Sequence, residues 1–320
     1  MTMRRSLCIL LCTFAANPVF SQNNTDAAAR LKQTIETLSA PSMQGRGVGT
    51  EGLQRSAELI RNAFRSAGLK SGAADGSFFQ KFPYTPDKST GKEISLQNVV
   101  GVLQPADSSV RETIVIGAHY DHLGSGPAFS LAKGEQKHAL HPGADDNASG
   151  VALLLELARH FAASGAGVHK RIVFIAFSGE EEGELGSKYY VAHPFATLAD
   201  TATMINLDMV GRVRENIIGI AGNKSGDTFD AILDQAATAS HLSMMRGGDD
   251  YPDDSDHGPF AAAGVPFLYI CSGSHDDRHT PGDTADKINA PGMVEVANLM
   301  ESVIGKLLTS SRPRFVTRLK

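Results

Sequence analysis

The 320-residue sequence predicts an α/β fold: a single domain with a mostly parallel central β-sheet and helices on both faces. Strand-length apolar runs alternate with helix-length amphipathic segments through most of the chain. Several of these runs, such as "RIVFIAF" at 171–177, are apolar without alternation, as expected of strands covered on both faces. There is neither an internal repeat nor an interdomain linker, so one domain of about 300 residues is expected.

The elements follow in order. Leu31, Ile35 and Leu38 recur at helical spacing after Asp26, a candidate N-cap. "PSMQGRGVGT" at 41–50 is a glycine-rich loop. It lacks the Gly-Lys-Ser/Thr ending and the preceding strand of a phosphate loop. Leu53, Ala57, Ile60 and Phe64 mark a helix that stops at Gly68, and "GAADGS" is a turn. "FFQKFPYT" and "LQNVVGVLQ" read as short strands, and "TIVIGAHYDH" as a longer one. Residues 151–162 form a helix with Val151, Leu154, Leu155, Ala158 and Phe161 on one face. The strand "RIVFIAFS", the helical "ELGSKYYVAH" and the strands "TATMINLDMVG" and "IIGIAG" come next. They are followed by the helix "DTFDAILDQAATAS" and the strand "VPFLYICSG". A last helix carries Met293, Val296, Ala297, Met300, Ile304 and Leu307.

Hydrophobic residues make up 42% and charged residues 20%, an ordinary globular balance. With a formal charge of −5 and no basic stripe, nucleic acid is not an expected partner. After the N-terminus no apolar segment reaches the roughly 20 residues of a membrane helix. Residues 1–21 read as a signal peptide: Arg4 and Arg5 precede the apolar core "SLCILLCTFAA", and Val-Phe-Ser at 19–21 is a tolerable cleavage site. The expectation is an exported domain over 22–320, periplasmic or extracellular. Cys8 and Cys12 leave with the signal, so Cys271 stands alone and no internal disulfide is available.

Ionisable residues gather where the strands end. "IGAHYDHLG" ends in His119, Asp121 and His122; "FSGEEEG" in Glu180 and Glu181; "INLDMVG" in Asp208. "CSGSHDDRHTPGDT" supplies His275, Asp276, Asp277 and His279. Asp145 and Asp146 precede the helix that starts near Val151. Each alone has an ordinary structural reading: a satisfied strand-end histidine, a solvated acidic turn, an N-cap. Together, at corresponding strand ends, they can converge on one crevice and suit zinc or a neighbouring divalent metal.

The ordered motifs "GAHYDHLG", "PGADDNASG", "FSGEEEGELGS", "NLDMVGR", "SDHGPF" and "HTPGDT" resemble the di-zinc aminopeptidases of metallopeptidase family twenty-eight, the bacterial leucyl aminopeptidase-like zinc exopeptidases. The resemblance runs from about Gln44 to the last helix and shows no inserted protease-associated domain. It implies a zinc-exopeptidase (phosphorylase/hydrolase-like) fold holding two zinc ions per chain. Asp145 would bridge them, Glu181 and His279 would complete one site, and His119 and Asp208 the other. It implies a water or hydroxide held by both ions as nucleophile, Glu180 as general base and Asp121 as the carboxylate that orients the histidine ligand. It also implies a cis peptide at Asp145–Asp146. Glu182 and Glu184 match no ligand position and read as a solvated turn leading into a helix.

Asp249, Asp250, Asp253, Asp254 and Asp256 form an acidic loop that either shapes the substrate pocket, holds calcium or is simply solvated. Tyr251 is a candidate oxyanion stabiliser, and residues 124–141 are expected to rim the site. Three functions remain open on sequence grounds. One is an exported exopeptidase acting on free N-termini of peptides. Another is a related enzyme acting on another amide, such as a carboxypeptidase or a glutaminyl cyclase. The third is a non-catalytic binding domain. The full ligand set favours the first.

Overall fold

The computed structural model describes residues 18–164, 169–247 and 254–316. The leader expected at 1–21 therefore lies outside the described residues, except that residues 18–21 open the first helix, α1 (Pro18–Leu38). Among the described residues no helix is long and apolar enough to cross a membrane. Leu31, Ile35 and Leu38 are the buried stripe of α1. Helix α2 (Glu51–Ser66) starts where the Thr50 hydroxyl accepts the Leu53 N–H, the N-cap bond that a Thr at this position supplies. Its buried Leu53, Ala57, Ile60 and Phe64 face the sheet, and the chain leaves it through Gly68 at φ +85°.

Next come β1 (Lys70–Ser71), β2 (Phe79–Tyr84), β3 (Ile94–Leu103), β4 (Thr113–His119), α3 (Gly150–Ala163), β5 (Arg171–Phe177) and α4 (Leu185–Ala192). They are followed by β6 (Thr201–Leu207), β7 (Ile217–Ala221), α5 (Phe229–Ala236), β8 (Ser243–Arg246), α6 (His257–Ala262), β9 (Phe267–Cys271) and α7 (Ala290–Thr309). The nine strands form one mixed sheet in the order β1-β3-β5-β4-β6-β9-β7-β8, with β2 also paired to β3. The expected parallel arrangement holds at the centre, where β5, β4, β6 and β9 run parallel. The flanks depart from it: β3 is antiparallel to β5, and β7 is antiparallel to β9.

The period-2 alternation of the strands builds two cores. Ile114, Ile116, Ile172, Phe174 and Ile205 point to the face covered by α1, α2, α3, α5 and α7. Val115, Val173, Ile175, Phe177 and Met204 point to the other face, with Tyr190 of α4 and Phe260 of α6. Each such fully buried aliphatic or aromatic side chain contributes about 1.5–3 kcal/mol relative to exposure. Strands β1 and β8 and helix α6 were not expected. The first two are short edge strands with half-exposed patterns, and α6 is six residues containing Gly258 and Pro259, too short and too broken to show a helical period. Because β5, β4, β6 and β9 are parallel, their carboxyl ends lie along one edge, which puts His119, Glu180, Asp208 and the 272–284 loop within reach of one another.

Candidate metal centre

Strand β4 delivers His119, almost fully buried, at its last residue. Its Nδ1 lies 3.3 Å from the Asp121 carbonyl, an atom that can only accept, so Nδ1 carries a proton and Nε2 is the nitrogen able to take a metal. That Nε2 faces Asp146 Oδ1 at 3.4 Å, Asp208 Oδ1 at 3.5 Å and Glu180 Oε2 at 3.9 Å. His279 repeats the arrangement. Its Nδ1 donates to the Phe129 carbonyl (3.0 Å), and its Nε2 lies 3.1 Å from both Asp146 Oδ2 and Glu181 Oε2. This buried Nε2 nevertheless makes no hydrogen bond. Two imidazole Nε2 atoms thus aim into a nest of carboxylates with their far nitrogens anchored, the arrangement of metal-ligating histidines.

Ligand atoms of His119, Asp146 and Glu181 lie within 4.8 Å of one another, and so do those of His119, Glu180 and Asp208. Around them, the buried carboxylates of Asp121, Asp145, Asp256 and Asp283 add negative charge. The donor set and its excess of negative charge fit divalent zinc. In the metal-free cluster the adjacent glutamates diverge. Burial, reinforced by Glu181 and Asp208, pushes Glu180 well above the usual carboxylate range. Burial and Asp146 also oppose ionisation of Glu181, but His122 and His279 outweigh them and hold it at about 2.

The carboxylate that faces the cluster is one residue later than expected, Asp146 in place of Asp145. Asp145 does not face the cluster: its Oδ1 accepts the Gly211 N–H at 2.7 Å and its Oδ2 lies 3.1 Å from His275 Nε2. Gly211 is needed for that approach, since a Cβ there would sit 2.8 Å from Asp145 Oδ1. Asp146 instead places one oxygen toward each imidazole. The cis peptide is likewise one residue later than expected, at Asp146–Asn147. The reason lies in the neighbours. Asp283 accepts the backbone N–H groups of both Asp145 and Asp146, and the Asn147 side chain ties the next residue to Leu207 and Met209 of the β6 end. Those bonds orient the segment so that Asp146, not Asp145, turns inward.

Asp121 also differs from expectation. Its carboxylate is 3.9 Å from His119 Nδ1, but it accepts the N–H groups of Glu180 (3.1 Å) and Glu181 (3.2 Å). It holds the turn that presents both glutamates, while its own carbonyl orients the histidine. Glu182 accepts the Tyr84 hydroxyl and Glu184 pairs with Lys188, both away from the cluster. The loop at 124–141 does reach the site, through Phe129 and through the Leu131 N–H to the His279 carbonyl. Tyr251 and most of the acidic loop lie outside the described residues; within them, Asp254 lines the cleft and Asp256 is buried near His119 and Asp208.

Sequence reasoning assigned no role to four residues at the cluster. His122 Nδ1 lies 2.7 Å from Glu181 Oε1. Ser255 donates to Asp208 Oδ2 at 2.9 Å. Asp283 supports the 145–146 backbone and is pushed up to about 6 by burial and by Asp145. Arg46 is fully buried and donates to the carbonyls of Tyr120, Leu38, Pro142 and Gly143 at 2.7–2.9 Å. Burial lowers it to about 10, yet Asp146 and Asp283 resist that, so it stays cationic at neutral pH. His122, Ser255 and Asp283 sit inside the motifs quoted above, whereas Arg46 had only its glycine-flanked context.

Known proteins share this chain's family and fold. Aminopeptidase YwaD of Bacillus subtilis (strain 168) is 29% identical over 221 residues, 65% of this chain and 44% of that protein. The chain spans 36% to 44% of the length of three curated relatives it matches. The fold is shared with a leucine aminopeptidase precursor from Bacteroides thetaiotaomicron (TM-score 0.69, 20% identity, 88% of this chain and 96% of that one). It is shared equally with a glutaminyl cyclase of the same organism (TM-score 0.69, 19% identity, 88% and 97%). The family model described as Peptidase family M28 matches residues 98–304, which carry His119, Asp146, Glu180, Glu181, Asp208 and His279, and the chain belongs to that family.

Proposed function

We propose that this chain is an exported di-zinc aminopeptidase that cleaves the peptide bond following a free N-terminal residue. One observation carries the reading: Asp146 turns its two carboxylate oxygens toward two different histidines, His119 and His279, whose protons are held on the far nitrogens by carbonyls. Asp146 would be shared by two ions, with Glu181 and His279 completing one site and His119 and Asp208 the other. When bound, zinc supplies Lewis acidity that brings a water's pKa to near 7 and stabilises negative charge on a carbonyl oxygen.

The remaining work falls to the chain's own groups. Glu180 stands in the cleft beside the cluster, its Oε2 3.9 Å from His119 Nε2, where its carboxylate can accept a proton from a water held by the ions. It would take the proton of the attacking water and pass it to the leaving amine. Asp121 would keep it in place through the backbone N–H groups of Glu180 and Glu181. The surplus of carboxylates attracts a substrate ammonium. The names of Aminopeptidase YwaD and of the leucine aminopeptidase precursor support action at an N-terminus. Export is supported by Arg4, Arg5 and the apolar stretch that follows them.

The test uses zinc-loaded protein and paired substrates. An aminoacyl-nitroanilide and a dipeptide with free N-termini should be hydrolysed, and their N-acetyl forms should not. A chelator should abolish turnover. Glu180→Gln should keep about two zinc equivalents yet lose roughly 10²–10⁴ in kcat. Cleavage confined to N-blocked peptides would replace the reading with a carboxypeptidase, and conversion of N-terminal glutamine to a ring without hydrolysis would replace it with a glutaminyl cyclase.

A further inference from the structure

Arg278 stands out among the cations of the cleft. The cleft, about 230 Å³, is walled by Met209, Asp254, Tyr269 and Arg278 above the metal cluster. Arg46 is spent on carbonyls. Arg212 is bound to Asp277 at 2.7 Å, and Arg214 to the Ser274 carbonyl at 2.9 Å. The Arg278 guanidinium makes no hydrogen bond among the described residues. Its one carboxylate contact there is Nε to Asp146 Oδ2 at 3.7 Å, and its side chain is 41% exposed. The neighbouring Asp277 is not available to it, being held by Arg212 and Lys287.

A fixed positive charge beside a cluster that collects divalent cations works against metal binding, because like charges repel. Once cations occupy the cluster, Asp146 is neutralised by them and offers Arg278 little. An anion from the substrate removes the conflict. Arginine's planar fork fits a carboxylate through two parallel hydrogen bonds. A dipeptide carries such an anion in its α-carboxylate. With the scissile carbonyl at the cluster, the α-carboxylate of a dipeptide lies one residue beyond it, about 3.5 Å of extended chain. Arg278 walls the same cleft as His119, Asp146, Glu180 and Asp208, so its guanidinium stands beside the path a group one residue beyond the cluster must take. Asp254, on the wall of the same cleft, is a complementary group for an ammonium.

The geometry points to Arg278 as a specificity-determining residue that selects substrates whose leaving residue bears a free α-carboxylate, that is, dipeptides. This rests on the aminopeptidase reading above and narrows its substrate class. No covalent step is added; the arginine binds and orients the leaving half of the substrate.

The experiment compares leucylglycine with leucylglycinamide, which share the free amine and the scissile bond and differ only in the terminal charge. Wild-type zinc-loaded protein should favour the free acid by about ten- to a hundredfold in kcat/KM, the worth of a charge-assisted bidentate contact. In Arg278→Met the ratio should collapse to near one, and Arg278→Lys, which keeps the charge without the fork, should retain part of it. Calorimetric binding of the two ligands to the Glu180→Gln protein reads the same ratio without turnover. A wild-type ratio near one, or a ratio unchanged in Arg278→Met, overturns the inference. An equal fall for both substrates in Arg278→Met, confined to kcat, also overturns it and places the guanidinium on the scissile carbonyl instead. Failure of zinc-loaded wild type to hydrolyse either compound defeats the aminopeptidase reading, while the calorimetric ratio still decides the role of Arg278.

Discussion

Replacing Arg46 by methionine should cost this protein much of its stability, although the residue touches no expected metal-ligand side chain. The guanidinium is completely buried and donates to four carbonyl oxygens at 2.7–2.9 Å: Leu38 at the end of α1, Tyr120 just past β4, and Pro142 and Gly143 ahead of Asp146. Methionine fills much of the volume but donates nothing. A buried acceptor left unpaired costs about 1–3 kcal/mol; the Gly143 carbonyl keeps the Ala148 N–H, so at the low end the other three together lose about 3 kcal/mol. Asp146 and Asp283 also lose the cation that offsets their charge. Removing one member of a buried charge set typically costs about 3–5 kcal/mol, which is consistent. Against a total stability of about 5–15 kcal/mol this is a large fraction. Denaturant unfolding followed by circular dichroism should show the loss, and Tm should fall by roughly 6–12 °C at about 2–4 °C per kcal/mol. Zinc content should fall with it, because Arg46 joins the segment carrying Asp146 to the end of the strand carrying His119. A methionine variant within about 1 kcal/mol of wild type would refute the reasoning and mean that the carbonyls find other donors.

The register of the acidic pair gives a second expectation. Asp146→Asn should lose at least one zinc equivalent, whereas Asp145→Asn should keep both and be destabilised by about 1–3 kcal/mol through its weakened bonds to Gly211 and His275; metal analysis showing the reverse would return the shared position to Asp145. Far from the cluster, Glu156 lies between Arg30 and Arg159, and although its burial works against the charge, the two guanidinium groups hold its carboxyl below the usual range. A carboxylate with a depressed folded pKa contributes stability above its unfolded value of about 4.3 and loses it as pH falls through the folded value. Glu156→Gln should therefore be less stable by about 1–2 kcal/mol at pH 7, and the gap to wild type in thermal unfolding should close below about pH 4; a gap that is the same at pH 3 and pH 7 would exclude the ion pairs as its source.

Much of this protein was legible in its sequence because the signals are local. An apolar run such as "RIVFIAF" must be covered on both faces, and a strand that must be covered on both faces sits in the middle of a layered sheet, where β5 is found. Parallel central strands put their carboxyl ends on one edge, so His119, Glu180, Glu181, Asp208 and His279 come together from segments up to 160 residues apart without any need to know a side-chain angle. Short edge elements escaped, because a four-residue strand with half-exposed side chains leaves no period to read.

What only the tertiary structure decided is which atom faces where. Asp145 and Asp146 are identical in chemistry and adjacent in sequence, and no local pattern separates them. The choice is made by Asp283, 138 residues away from Asp145, whose carboxylate takes both backbone N–H groups, and by Gly211, which takes the carboxylate of Asp145 out of the cluster. Arg46 was hidden for a related reason. Its partners are carbonyls, and every residue has one, so the cage that holds it leaves no trace in the order of side chains. Side-chain composition and spacing set the sheet and the loops that carry the chemistry, while hydrogen bonds to the main chain from distant residues set the inward turn of one carboxylate rather than its neighbour.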